Sequence, residues 1–164
     1  MTKVQVETAH FQHYPDLDGG NAEETAFLMS MAEEALTYVR SFRWAPPISD
    51  SFMAFGIGKV LALFLVRFEQ TIEGGPDDEL WVVVGDLPSA YFVTEAAPDP
   101  AEALAAYCEL MEDWADRVLE GRNLEGVYPI PVAPTQDHAK MLKDRVNMIR
   151  SRFIPMARAG EVNP

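Results

Sequence analysis

Val60-Leu61-Ala62-Leu63-Phe64-Leu65-Val66 and Leu80-Trp81-Val82-Val83-Val84 decide how this chain is read. Between them lies the acidic stretch Glu73-Gly74-Gly75-Pro76-Asp77-Asp78-Glu79. After them, Gly85-Asp86-Leu87-Pro88 leads into Ala90-Tyr91-Phe92-Val93. Runs of β-branched and aromatic residues bounded by turn formers predict strands. The short connections predict that those strands are antiparallel neighbours. In the first strand Phe64, Val66, Phe68 and Ile72 alternate with Arg67, Glu69, Thr71 and Glu73. One end of the sheet is thus expected to face water on one side, and the wholly apolar end to be covered on both. Ser51 to Phe55 reads as a further short strand, turned by Gly56-Ile57-Gly58.

Helices flank this sheet. Asn21, with Glu24 three residues on, forms a capping-box signature for a helix over about 22–43. Leu28, Met31, Ala35, Val39 and Phe42 give that helix an apolar face, and Pro46-Pro47 ends it. Asp99-Pro100, followed by Glu102, starts a second helix that stops near Glu120 at Gly121. A proline-rich loop, Tyr128 to Pro134, leads to Thr135. Thr135 caps a last helix with Leu142, Val146, Ile149 and Phe153 inward, and Pro155 is expected to end it. The predicted fold is α+β: an antiparallel meander of three to four strands, with one helix before the sheet and two after it. Residues 1–164 form a single domain, with residues 1–20 as an N-terminal arm.

Composition narrows the functions. An apolar share of 48% with a single cysteine, Cys108, fits a globular core and excludes a disulfide framework or a thiolate zinc cluster. Met1 to Glu7 holds no apolar stretch of signal-peptide length, and the run at 60–66 is too short to span a bilayer. A soluble cytoplasmic protein is expected. The net charge is -13, from 26 acidic and 13 basic residues. Such a surface disfavours nucleic acid and anionic membranes, both of which are bound through lysine and arginine. The charge is uneven. Residues 136–158 carry Lys140, Lys143, Arg145, Arg150, Arg152 and Arg158 against Asp137 and Asp144, a net of +4 that leaves -17 on the rest. The basic last helix is expected to dock on the acidic body of the same molecule.

Several residue groups have the right types for chemistry but the wrong spacing. His10, His13, Asp16 and Asp18 are metal-ligating types in one short loop. They match neither the helical zinc-protease pattern nor a calcium loop, so no metal and no cofactor is expected. Gly56-Ile57-Gly58-Lys59 lacks the first glycine of a phosphate loop and has Val60 where a hydroxyl is needed. Cys108 falls on the apolar side of its helix, where a thiol is a poor nucleophile. Trp44, Trp81 and Trp114 read as core and interface anchors.

The clearest surface pattern is Glu109, Glu112, Asp113, Asp116 and Glu120. On a helix they share a sector of about 100 degrees, opposite Leu104, Tyr107, Met111 and Val118. Like charges four residues apart repel, and a stripe that accumulates them suits a basic partner. The sequence therefore points to a non-catalytic acidic binding or regulatory protein, of the immunity or inhibitor type, for a basic protein. The alternative is a small enzyme or ligand binder with a pocket between sheet and helices, using Arg67, Asp86, Tyr91 or His138. The sheet carries apolar residues on both faces. A homodimer is expected to cover whatever the three helices leave open.

Overall fold

In the computed structural model, which describes residues 5–95 and 97–164, the two apolar runs form the central strands of a sheet. The elements in chain order are β1 (Gln12–His13), α1 (Ala22–Arg40), β2 (Ile48–Ile57), β3 (Leu61–Phe68), β4 (Glu79–Gly85), β5 (Ala90–Val93), α2 (Pro100–Leu119), α3 (Gln136–Met148) and α4 (Ile154–Arg158). The strands lie side by side in sequence order, each antiparallel to the next. There are five of them where the sequence predicts three to four. The additional one is β1, whose two residues pair with Phe52 and Met53 and are too few for alternation to register. Because β1 precedes it, α1 lies between two strands and not before the sheet.

Two strand boundaries also move. β2 begins at Ile48, because the polar residues before Ser51 pair with the half-open end of β3, as in Asp50 opposite Arg67. β3 ends at Phe68, and Ile72 sits in a single 3-10 turn while still packing against the face that Phe64, Val66 and Phe68 share.

Strand periodicity of two sorts the core into two layers. Phe64, Val66, Leu80, Val82 and Val84 pack against α1 through Leu28, Met31, Ala35 and Val39. Leu63, Leu65, Trp81 and Val83 face the other way, toward Leu104, Tyr107, Met111 and Leu142 of α2 and α3. Helices of the same chain thus cover both sheet faces, and the uncovered apolar face that argued for a dimer is filled from within. No helix among the described residues is long and apolar enough to cross a membrane.

The helix starts follow the sequence signals, whereas α1 stops at Arg40, short of the expected residue 43, and leaves Phe42 beyond its C-cap Ser41. Asn21 Oδ1 accepts from the Glu24 N–H at 2.8 Å, Asp99 Oδ1 from Glu102 at 2.9 Å, and Thr135 Oγ1 from His138 at 3.2 Å. The C-terminal end departs from them, because helical structure continues beyond Pro155. Residues Ile149–Phe153 form a π-helical turn, and α4 then starts with Pro155 in its first turn. A proline lacks the N–H that an α-turn needs and crowds the carbonyl four residues back. The wider turn just before it accommodates both, and Ile149, Phe153 and Ile154 stay buried.

The sheet edges are finished by loops and termini. The Gly56 N–H donates to Val162 O at 2.8 Å, so the C-terminal segment covers part of β2 beyond β1. Tyr128 Oη accepts from the Tyr91 N–H at 3.0 Å and donates to Tyr91 O at 3.3 Å, which closes β5 at that residue. The N-terminal segment is tied down by buried Val6 and Leu17. The turn after β4 needs glycine: Gly85 has φ +138°, and a Cβ there would lie 2.4 Å from Val60 O.

Candidate functional site

The acidic stripe of α2 divides in two once α3 is in place. Glu112 and Asp116 lie on the border that meets α3 and the π-helical turn after it. Arg150 Nη1 is 2.6 Å from Glu112 Oε2, and Lys143 Nζ is 2.5 Å from Asp116 Oδ1. These charged hydrogen bonds raise the pKa of Arg150 and of Lys143 above their ordinary values. Glu120 pairs with Arg122 at 2.6 Å. The basic last helix thus docks on the acidic body of its own chain.

Glu109 and Asp113 lie on the other border and face β5. Asp113 bonds Arg117, one helical turn along, at 3.2 Å, and about half of the Asp113 side chain stays exposed. Glu109 is exposed and has no ion pair among the described residues. Together they rim a groove between β5 and α2 whose volume is about 290 Å³. Phe92, Ala106 and Leu110 supply its apolar lining, and Val93, 40% exposed, stands at the sheet edge beside it.

The four residues expected to share a pocket are dispersed. Asp86 and His138 do come together, in a cavity of about 270 Å³ with Arg145, Leu87, Pro88 and Met141. Arg145 Nη2 is 2.5 Å from Asp86 Oδ2. His138 Nδ1 lies 2.8 Å from Ala133 O. A carbonyl only accepts, so Nδ1 carries the proton and, in the neutral ring, Nε2 keeps its lone pair.

Arg67 is at the far end of the same strands. Its Nε bonds the fully buried Glu79 at 3.1 Å, and its Nη2 donates to Val6 O at 2.8 Å. Tyr91 belongs to an aromatic cluster, with the rings of Phe42 and Trp44 each 4.9 Å away, and burial raises its phenol pKa. The chain matches no family model, no curated protein and no solved structure.

The remaining candidates have structural surroundings. Cys108 is buried against α3, and burial pushes its thiol up to about 12, which suppresses the thiolate a nucleophile needs. His13 bonds Asp50 at 3.0 Å. Among the described residues no group of three or more His, Cys, Asp or Glu side chains is arranged to hold a metal. Trp81 donates to Ala97 O at 2.8 Å from a fully buried position, and Trp44 stacks on Phe42.

Sequence reading missed two features. Glu79 closes the acidic stretch between the two apolar runs but belongs to β4, opposite Arg67, and an acid so close to the start of the second run is the signal for that ion pair. The groove beside β5 gave no signal, because Phe92 and Leu110 are eighteen residues apart and only the fold apposes them.

Proposed function

We propose that this chain is a binding protein of the immunity or inhibitor type, which captures a basic partner at the groove between β5 and α2. The observation that carries this reading is the division of the acidic stripe. Asp116 is taken by Lys143 of α3 and Glu112 by Arg150 of the π-helical turn that follows it, whereas Glu109 and Asp113 rim an apolar groove at an exposed sheet edge. A partner with an apolar anchor and a neighbouring cation fits both parts. The charge of -13 would speed the encounter and make it salt-dependent.

The test is a titration with hexalysine at low and high salt. Binding should weaken at high salt and on replacing Glu109→Gln and Asp113→Asn, and should be unaffected by Glu112→Gln with Asp116→Asn. Equal loss in the two double variants would sink the groove as the site.

One observation favours a second reading. Asp86, His138 and Arg145 converge on a mostly apolar cavity, which suits a small amphipathic ligand. A screen of small carboxylic acids and amines by ligand-observed magnetic resonance tests it, with His138→Ala as the control. Signals that persist unchanged in that variant would remove it.

A further inference from the structure

The backbone at the β5 edge defines how a partner would sit in the groove. In an antiparallel ladder, residues alternate between those that bond the neighbouring strand and those that turn both backbone groups away from it. Tyr91 is of the second kind, since both its N–H and its C=O meet the Tyr128 hydroxyl on the side away from β4. Val93, two residues on, has the same phase. Its N–H and C=O therefore point out of the sheet at an exposed position, and an unpaired strand edge is a template for another strand.

Side-chain direction adds a second constraint. Phe92 lies on the sheet face that packs against α2, and Ala106, Leu110, Glu109 and Asp113 stand over the same side of the edge. An added strand would turn alternate side chains toward these residues. An apolar one would meet Phe92 and Leu110, and a basic one on the same face would meet Glu109 and Asp113.

We propose that the partner is an extended segment that adds to the sheet as a sixth strand beside β5, with an apolar and a basic residue at alternate positions facing α2. This rests on the acidic-groove reading and specifies its geometry. Val93 supplies the first two backbone hydrogen bonds. The Tyr128 hydroxyl occupies the next two, at Tyr91, so it limits how far the added strand can extend.

The experiment uses two synthetic heptapeptides that carry valine and lysine in turn at the odd positions and threonine between them. One is plain, and the other is N-methylated at every amide, which keeps the charge and removes the donors. The plain peptide should bind about tenfold more tightly, the worth of one or two net hydrogen bonds. Tyr128→Phe should tighten the plain peptide several-fold, because it frees the Tyr91 backbone. Equal binding of the two peptides, or no gain in Tyr128→Phe, overturns strand addition. If the peptides bind equally and Glu109→Gln with Asp113→Asn weakens both, the acidic groove stands without the strand. If neither peptide binds, both proposals fail.

Discussion

Arg67 and Glu79 face each other across the β3–β4 ladder, with Arg67 Nε 3.1 Å from Glu79 Oε2. The Glu79 side chain is fully buried. Its second oxygen accepts from the Val6 N–H at 2.9 Å and from the Thr94 hydroxyl at 3.4 Å. Arg67 in turn donates to Val6 O. One ion pair thus joins two strands, the N-terminal segment and the residue that follows β5.

Breaking this network should be costly, because removing one member of a buried pair leaves the other charge uncompensated. Glu79→Ala is expected to lose about 3 to 5 kcal/mol in urea unfolding. A loss below about 1 kcal/mol, the size of an exposed pair, would show that the carboxylate is better hydrated than its burial implies.

Alkaline pH should destabilise the fold. Burial raises the acid groups of Cys108, Tyr38 and Tyr107, and the two phenols donate to Ser89 O and Pro88 O in the turn before β5. The unfolded chain loses these protons at ordinary values, near 9.0 for the thiol and 10.0 for the phenols. The folded chain keeps them to higher pH, so it binds more protons and stability falls as pH rises. Lys143 acts in the same direction. Its pairing with Asp116 raises its pKa, and the resulting stability is present below 10.5 and lost as pH rises through the folded value. Urea midpoints measured upward from neutral pH should decline from pH 9.0 onward. A flat profile through that range would contradict the burial of these groups.

With α1 on one face of the sheet and α2 and α3 on the other, the chain covers its own core. Sedimentation equilibrium is expected to give a mass near 18.3 kDa at every loading. A mass twice that, independent of dilution, would mean that a surface other than the sheet faces pairs two copies.

The sheet was legible because Val60 to Val66 and Leu80 to Val84 are apolar whichever face they present, and the turns between them are explicit. The three helix starts were legible because Asn21, Asp99 and Thr135 each cap within three residues of themselves. β1 was not, since two residues show no periodicity. The helical continuation past Pro155 was not, since proline reads as a stop and the π-turn that relieves it has no sequence signature.

The candidate site was half legible. The acidic stripe stood out, but every member looked alike until Lys143 of α3 and Arg150 just after it took Asp116 and Glu112 and left Glu109 and Asp113 beside β5. Of the four proposed pocket residues, Asp86 and His138 meet although fifty-two positions separate them. Arg67 is held at the far end of the strands by Glu79 and the Val6 carbonyl, and Tyr91 by the aromatic rings of Phe42 and Trp44, which only the fold brings to it.

The groove as the docking site for a basic partner is tested most directly by amide chemical-shift mapping during titration with hexalysine. The largest shifts are expected at Val93, Ala106, Glu109, Leu110 and Asp113, and they should fade as salt is added. Shifts spread evenly over the acidic surface, or concentrated on α1, would contradict the groove as the binding site.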